Sequence, residues 1–266
     1  MRALLRALLF PPTCVCCRSL LRVPDYRREA PFLCPACEKA WNEAGQALCE
    51  VCREPIGRCL CVTEEMRAAH IGVARKLAYY RHGTREPIAN RVVYRIKEAR
   101  DRRAIGLFAA PLSVCATELA ATCGHTVADT VLVPLPRSRR NRLTAGTDQA
   151  RELALAISRQ TGIPCREPIL RVRSADREQK ELSATERKRN AARAFRLGST
   201  DGLSPQTLVI LVDDLVTSGA SMAAAARLLR RAGVREIAAL SALTDDSNRN
   251  GAEAQPVIDL RQKNKR

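Results

Sequence analysis

Apolar residues recur along this chain with two alternating rhythms, and the alternation predicts its architecture. Ile88, Val92, Val93 and Ile96 fall on one helical face in a segment opening near Thr84. A second apolar helix is expected from about Ala104 to Thr122, ending near Gly124. Ala150, Leu153, Ala154 and Ile157 keep i, i+3, i+4, i+7 spacing up to Gly162, and Met222, Ala225, Ala226 and Leu229 repeat it up to Gly233. Between these helices stand short, mostly apolar runs of strand length: Thr130 to Val133, halted by Pro134 and Pro136; the unbroken Leu208 to Val212; and Glu236 to Leu240. The stretch VARKLAYYRHG, residues 73–83, reads as a further strand or hairpin arm, and TEEMRAAHIG before it as a linker. Strands alternating with helices predict an α/β fold, a doubly wound, mostly parallel sheet with helices on both faces.

The first sixty residues break this rhythm. Nine of the twelve cysteines lie before residue 62, as Cys14-x2-Cys17, Cys34-x2-Cys37, Cys49-x2-Cys52 and Cys59-x-Cys61, with Cys16 beside the first pair. Closely spaced cysteines form knuckles whose sulfurs converge, and two knuckles complete a tetrahedral thiolate site for structural zinc. Chain order groups Cys14, Cys17, Cys34 and Cys37 around one ion and Cys49, Cys52, Cys59 and Cys61 around a second; interleaved pairing and a part for Cys16 stay open, as does an iron–sulfur cluster. The expected organisation is a zinc-ribbon segment over 1–62, an α/β domain over 63–245 and a polar, basic tail over 246–266. Cys115, Cys123 and Cys165 read as core residues, Trp41 as packing for the Cys-rich segment, and His70, His82 and His125 as surface residues.

Charge and composition narrow the partners. The net charge of +17 points to polyanions or phosphorylated ligands. Nine aromatics (four Tyr, four Phe, one Trp) are too few for a base-stacking platform, so nucleic-acid contact is expected at phosphates. No run approaches the roughly 18 apolar residues of a membrane span. The opening MRALLRALLF carries Arg6 inside its apolar stretch and reads as an amphipathic lead-in, so a cytoplasmic location is expected.

The chemistry concentrates at one strand end. In LVILVDDLVTSGAS, Asp213 and Asp214 follow the apolar run, and Thr217, Ser218, Gly219, Ala220 and Ser221 turn the chain before Met222 opens a helix. Ligands of open α/β sheets bind outside the carboxyl ends of strands, and the free amides of a helix N-terminus suit phosphate. Carboxylates beside that loop accept hydrogen bonds from hydroxyls or hold a metal.

This stretch resembles the phosphoribosyl pyrophosphate (PRPP) motif of type I phosphoribosyltransferases. Together with VLVPLPRSRRNRLTAGTDQARELA, REQKELSATERKRNAARAF and the cysteine pairs, it is similar to the ComF/GntX-like family, in which a zinc ribbon precedes a phosphoribosyltransferase domain and some members act in natural competence. That family has Arg-Gly-Phe-Asn-Gln where this chain has Ala145-Gly146-Thr147-Asp148-Gln149. The resemblance implies that Asp213 and Asp214 hold the ribose hydroxyls of PRPP and that residues 217–221 hold its 5-phosphate. It also implies that Arg137 and Arg142, among Arg137, Arg139, Arg140 and Arg142, meet magnesium-bound pyrophosphate. Residues 171–195 would form a flap carrying Gln179, Arg187 and Asn190. Two functions follow as expectations: phosphoribosyl transfer to an unknown acceptor, or a non-catalytic protein that handles single-stranded DNA with the uptake machinery while retaining a PRPP or nucleotide site.

Overall fold

The computed structural model describes residues 11–21, 32–99, 102–137, 148–172, 194–246 and 253–254. In chain order its elements are α1 (Pro35–Gly45), β1 (Val62–Thr63), α2 (Glu64–Ala68), β2 (Ala74–Arg75), β3 (Ala78–Tyr80), α3 (Ile88–Ala99) and α4 (Arg102–Cys123). There follow β4 (Thr130–Pro134), α5 (Gln149–Thr161), β5 (Ile169–Arg171), β6 (Phe195–Leu197), β7 (Leu208–Val216), α6 (Ala220–Arg231), β8 (Glu236–Asp245) and β9 (Glu253–Ala254).

A five-stranded sheet forms the centre, and every pairing in it is parallel. β4 borders β7, β7 borders β8, and the far edge of β8 carries β2 and then β3. Residues 73–83 are therefore two short strands in line along one neighbour, and not a hairpin arm. On one face Leu208, Ile210 and Val212 of β7 pack with α3, α4 and α5; on the other Val209 and Leu211 pack with α2 and α6. Such two-sided burial explains why the strands read as continuous apolar runs. A small antiparallel pair, β5 with β6, stands apart and joins the second face through Ile169 and Phe195.

Several boundaries differ from the sequence reading, each for a local reason. β7 continues four residues beyond Val212, because the ladder with β8 still pairs Asp213 with Ser241 and Val216 with Thr244. The following helix starts at Ala220, so Ala220 and Ser221 belong to its first turn. TEEMRAAHIG holds α2, whose N-cap Thr63 accepts a hydrogen bond from the Met66 amide. Glu253 and Ala254, assigned to the tail, pair antiparallel with Thr63 and Val62.

α4 is the one described helix long and apolar enough to cross a bilayer. It lies in the core: Ala104, Phe108, Ala109, Leu112, Ala116 and Leu119 are fully buried among α3, α5 and the sheet. The Cys-rich segment shares that core. Val15, Leu21 and Leu33 pack in the same cluster as Val92 and Phe108, the Arg103 guanidinium donates to the Thr13 carbonyl at 2.6 Å, and Trp41 meets Phe108 with ring centroids 5.5 Å apart. Trp41 thus binds α1 to α4 and does not pack the Cys-rich segment alone.

Candidate functional site

The acid pair sits in the outgoing half of β7, beside the C-terminal end of β4. Asp214 is buried, and its Oδ2 accepts a hydrogen bond from Arg137 Nη2 at 2.7 Å in an ion pair little exposed on either side. Arg137 is also held by its backbone, whose N–H donates to Asp148 Oδ2 at 3.2 Å. Asp148 is the N-cap of α5, its other oxygen accepting from the Arg151 amide. Asp148 thus caps α5 with one oxygen and holds the Arg137 backbone with the other.

Asp213 is held differently. Its Oδ1 accepts the Asp214 amide at 2.8 Å. Burial, and next the charge of Asp214, push its carboxyl well above the usual carboxylate range. A ligand offering hydroxyls or a cation to Asp213 would favour its ionised form.

Beyond Val216 the chain turns into α6 through a short loop, the candidate phosphate cradle. Thr217 and Ser218 are exposed, Gly219 is buried at φ +80° as the N-cap of α6, and the Ala220 amide of the first turn donates to Ser218 Oγ at 3.4 Å. A helix N-terminus with hydroxyl residues in the turn before it, directly after the acids in the chain, is a composition that suits an oxyanion. The floor of the cradle comes from far away in sequence: a Cβ on Gly219 would strike Thr63 Oγ1 and come within 2.8 Å of Met66 Cγ. Arg230 locks this floor to α6 by donating to the carbonyls of Ala69 and His70. Thr63 and Met66 escaped the sequence reading, although a Thr followed by two Glu is a readable helix start.

The remaining expected residues divide simply. Arg137 is turned onto Asp214, and not toward open solvent where a pyrophosphate would first meet it. Arg139, Arg140, Arg142, Gln179, Arg187 and Asn190 lie outside the described residues. The flap expected over 171–195 springs from β5 and β6, which the structure does describe at its two ends.

Two thiolate sets complete the picture. Cys14, Cys17, Cys34 and Cys37 bring their sulfurs within 4.8 Å of one another, and so do Cys49, Cys52, Cys59 and Cys61. The Cys17–Cys34 and Cys52–Cys59 sulfurs are 3.7 and 3.6 Å apart, close to the roughly 3.8 Å between thiolates on tetrahedral zinc. Pairing thus follows chain order, and Cys16, buried beside them, belongs to neither set. Burial pushes Cys49 up to about 12, whereas hydrogen bonds from Ser19 hold the exposed Cys17 down at about 6. Four crowded thiols give up their protons together only to a cation, so both sets fit a resident metal.

The second set lies against the cradle floor. Lys76, buried between β2 and β3, donates to the Cys61 carbonyl at 2.7 Å. Cys61, Thr63, Met66, Lys76, Val216 and Ser241 enclose one small shared cavity. His82 and His125, read as surface residues, each meet a carboxylate: Asp245 at 2.8 Å and Glu236 at 3.1 Å.

Two comparisons bear on this arrangement. The phosphoribosyl transferase domain family matches residues 145–261, from the α5 cap through β7, α6 and β8. Competence protein F of Haemophilus influenzae is 33% identical over 106 residues, covering 40% of this chain and 46% of that protein. The chain thus spans about half the length of this curated relative.

Proposed function

We propose, for a chain that is a ComF-like phosphoribosyltransferase-domain protein, that the β7 edge binds PRPP and transfers its phosphoribosyl group to an acceptor. The observation that carries this reading is the succession, at the end of a parallel strand, of two carboxylates, two exposed hydroxyls, a buried left-handed glycine and a helix N-terminus. The amides of α6 and the hydroxyls of Thr217, Ser218 and Ser221 hold the 5-phosphate, and Asp213 and Asp214 accept hydrogen bonds from the ribose hydroxyls. Magnesium entering with PRPP supplies charge neutralisation at the pyrophosphate. Arg137, released from Asp214 as the ribose arrives, adds a guanidinium there, joined by Arg142, while Gln179 and Arg187 of the flap help exclude water. Zinc in both thiolate sets is structural on this reading, and the reducing cytoplasm keeps the eight sulfurs available to it.

The test is calorimetric titration of magnesium–PRPP. Asp213→Asn is the cleaner variant, because removing Asp214 strands the Arg137 charge in a buried place and risks about 3–5 kcal/mol of stability. Losing hydrogen bonds to a charged carboxylate should weaken binding by about ten- to a hundredfold. Wild-type affinity should also rise with pH, because Asp213 binds hydroxyls best once ionised and its folded-state pKa is raised. Equal affinity in wild type and Asp213→Asn defeats the site assignment.

A second reading has its own observation. A net charge of +17 and the similarity to a competence protein favour single-stranded DNA as a further ligand during uptake. Binding should then be indifferent to sequence and fall with salt, each neutralised phosphate adding about −0.7 to the log–log slope. Excess PRPP should compete if the Arg137–Arg142 loop serves both ligands. A flat salt profile removes the DNA role.

A further inference from the structure

One more group of reactive side chains stands on the same edge of the sheet, a single strand from the cradle. Asp245 ends β8, nearly buried, with its Oδ2 2.8 Å from His82 Nε2. Thr244, the residue before Asp245, pairs with Val216, the residue before Thr217, so both segments leave the sheet at the same end of neighbouring strands. The imidazole packs edge-on against Tyr80, centroids 5.0 Å apart and planes at 83°.

The loop carrying His82 is built, not incidental. Fully buried Asn90 accepts the Arg81 amide at 3.1 Å and donates to the carbonyls of Arg81 and Thr84 at 2.5 and 2.7 Å. Gly83 takes φ +77° with open space around its Cα, so glycine there serves the turn alone. One imidazole nitrogen is thereby fixed on a carboxylate, while Nδ1 has no partner among the described residues and the ring is 63% exposed. A base oriented by a buried acid and open on its other side is the arrangement used to take a proton from a nucleophile.

Other groups nearby do not fill that role. Tyr80 is pushed up to about 12, first by its hydrogen bond with Tyr94 and then by burial, so it keeps its proton. His125 pairs with Glu236 at the opposite end of β8.

Resting on the phosphoribosyl-transfer reading, we infer that His82 is the base that deprotonates the acceptor, and that Asp245 is its positioning residue. The acceptor is then a nucleophile with an N–H or O–H to lose. Its lone pair forms the bond to the ribose anomeric carbon, the bond from that carbon to the pyrophosphate oxygen breaks with its electrons leaving on pyrophosphate, and the proton passes to His82 Nδ1.

The probe is magnesium–PRPP with water as the acceptor, read as pyrophosphate release in a single turnover, alongside calorimetry on the same proteins. His82→Gln should release pyrophosphate about a hundredfold more slowly with PRPP affinity within twofold of wild type. Added imidazole should restore part of the rate to His82→Ala. Asp245→Asn should slow release with affinity kept, and Asp245→Glu should recover some of it. A wild-type rate in His82→Gln, a loss of affinity equal to the loss of rate, no rescue by imidazole, or bound PRPP from which wild type releases nothing each overturns the assignment. Failure of wild type to bind PRPP at all is a separate result, which removes the phosphoribosyl reading itself.

Discussion

Stripping the metal from both thiolate sets should unfold far more than the first sixty residues. A structural zinc site contributes about 10–16 kcal/mol of apparent binding free energy, comparable with the whole stability of a domain at about 5–15 kcal/mol. In this chain the sites are not set apart from the rest. Cys14, Val15, Leu33 and Cys37 lie in the same hydrophobic cluster as Val92, Ile96 and Phe108, so loosening the first knuckles opens the face of the sheet that α3 and α4 cover. Cys61 leads directly into Val62 and Thr63, and its carbonyl anchors Lys76, so loosening the second set releases the floor under Gly219. A strong chelator should therefore lower Tm by more than 10 °C and weaken PRPP binding at least tenfold, with zinc restoring both. Cys52→Ser with Cys59→Ser should harm ligand binding more than Cys17→Ser with Cys34→Ser, because the former pair belongs to the set whose Cys61 borders the cradle floor. Elemental analysis should return two zinc ions per chain from colourless protein. Brown protein with iron and labile sulfide, or chelated protein that keeps its Tm and its PRPP affinity, defeats this account.

What the sequence disclosed and what it hid follow from distance along the chain. The thiolate sets were legible because each is assembled from knuckles of three or four residues, and the helices because one apolar face repeats within a dozen positions. Asp213, Asp214 and the loop to Ser221 were legible because fourteen consecutive residues, 208–221, hold a strand, two acids and a turn. The Arg137–Asp214 pair joins residues 77 apart, the His82–Asp245 pair residues 163 apart, and β9 returns to β1 from the tail. No local pattern encodes such meetings; the parallel crossover topology brings them to one edge. The outer half of β7 was missed for a different reason, since charged residues in a strand resemble a strand's end until the neighbouring ladder is seen to continue.

Gly219→Ala should abolish phosphate binding and destabilise the protein together. Glycine in this loop suggests close approach by a ligand, yet the nearer constraint is internal. At φ +80° an alanine is strained by about 1–2 kcal/mol. Its methyl would also meet Thr63 Oγ1 and Met66, both nearly fully buried, and forcing a methyl into packed surroundings costs about 1–3 kcal/mol more. Neither neighbour can yield cheaply, because Thr63 caps α2 through the Met66 amide and Arg230 ties the end of α2 to α6. The loop must move instead, carrying the first amides of α6 off the phosphate position. The expected result is a Tm lower by roughly 5–15 °C, at about 2–4 °C per kcal/mol for a chain of this size, with PRPP affinity reduced more than a hundredfold in the fraction that stays folded. Thr63→Ala alone loses a cap, worth about 1 kcal/mol, and should leave most of the affinity, which separates a displaced loop from a merely weakened fold. An alanine variant that melts and binds PRPP like wild type would mean that the floor of the cradle is not where Thr63 and Met66 stand.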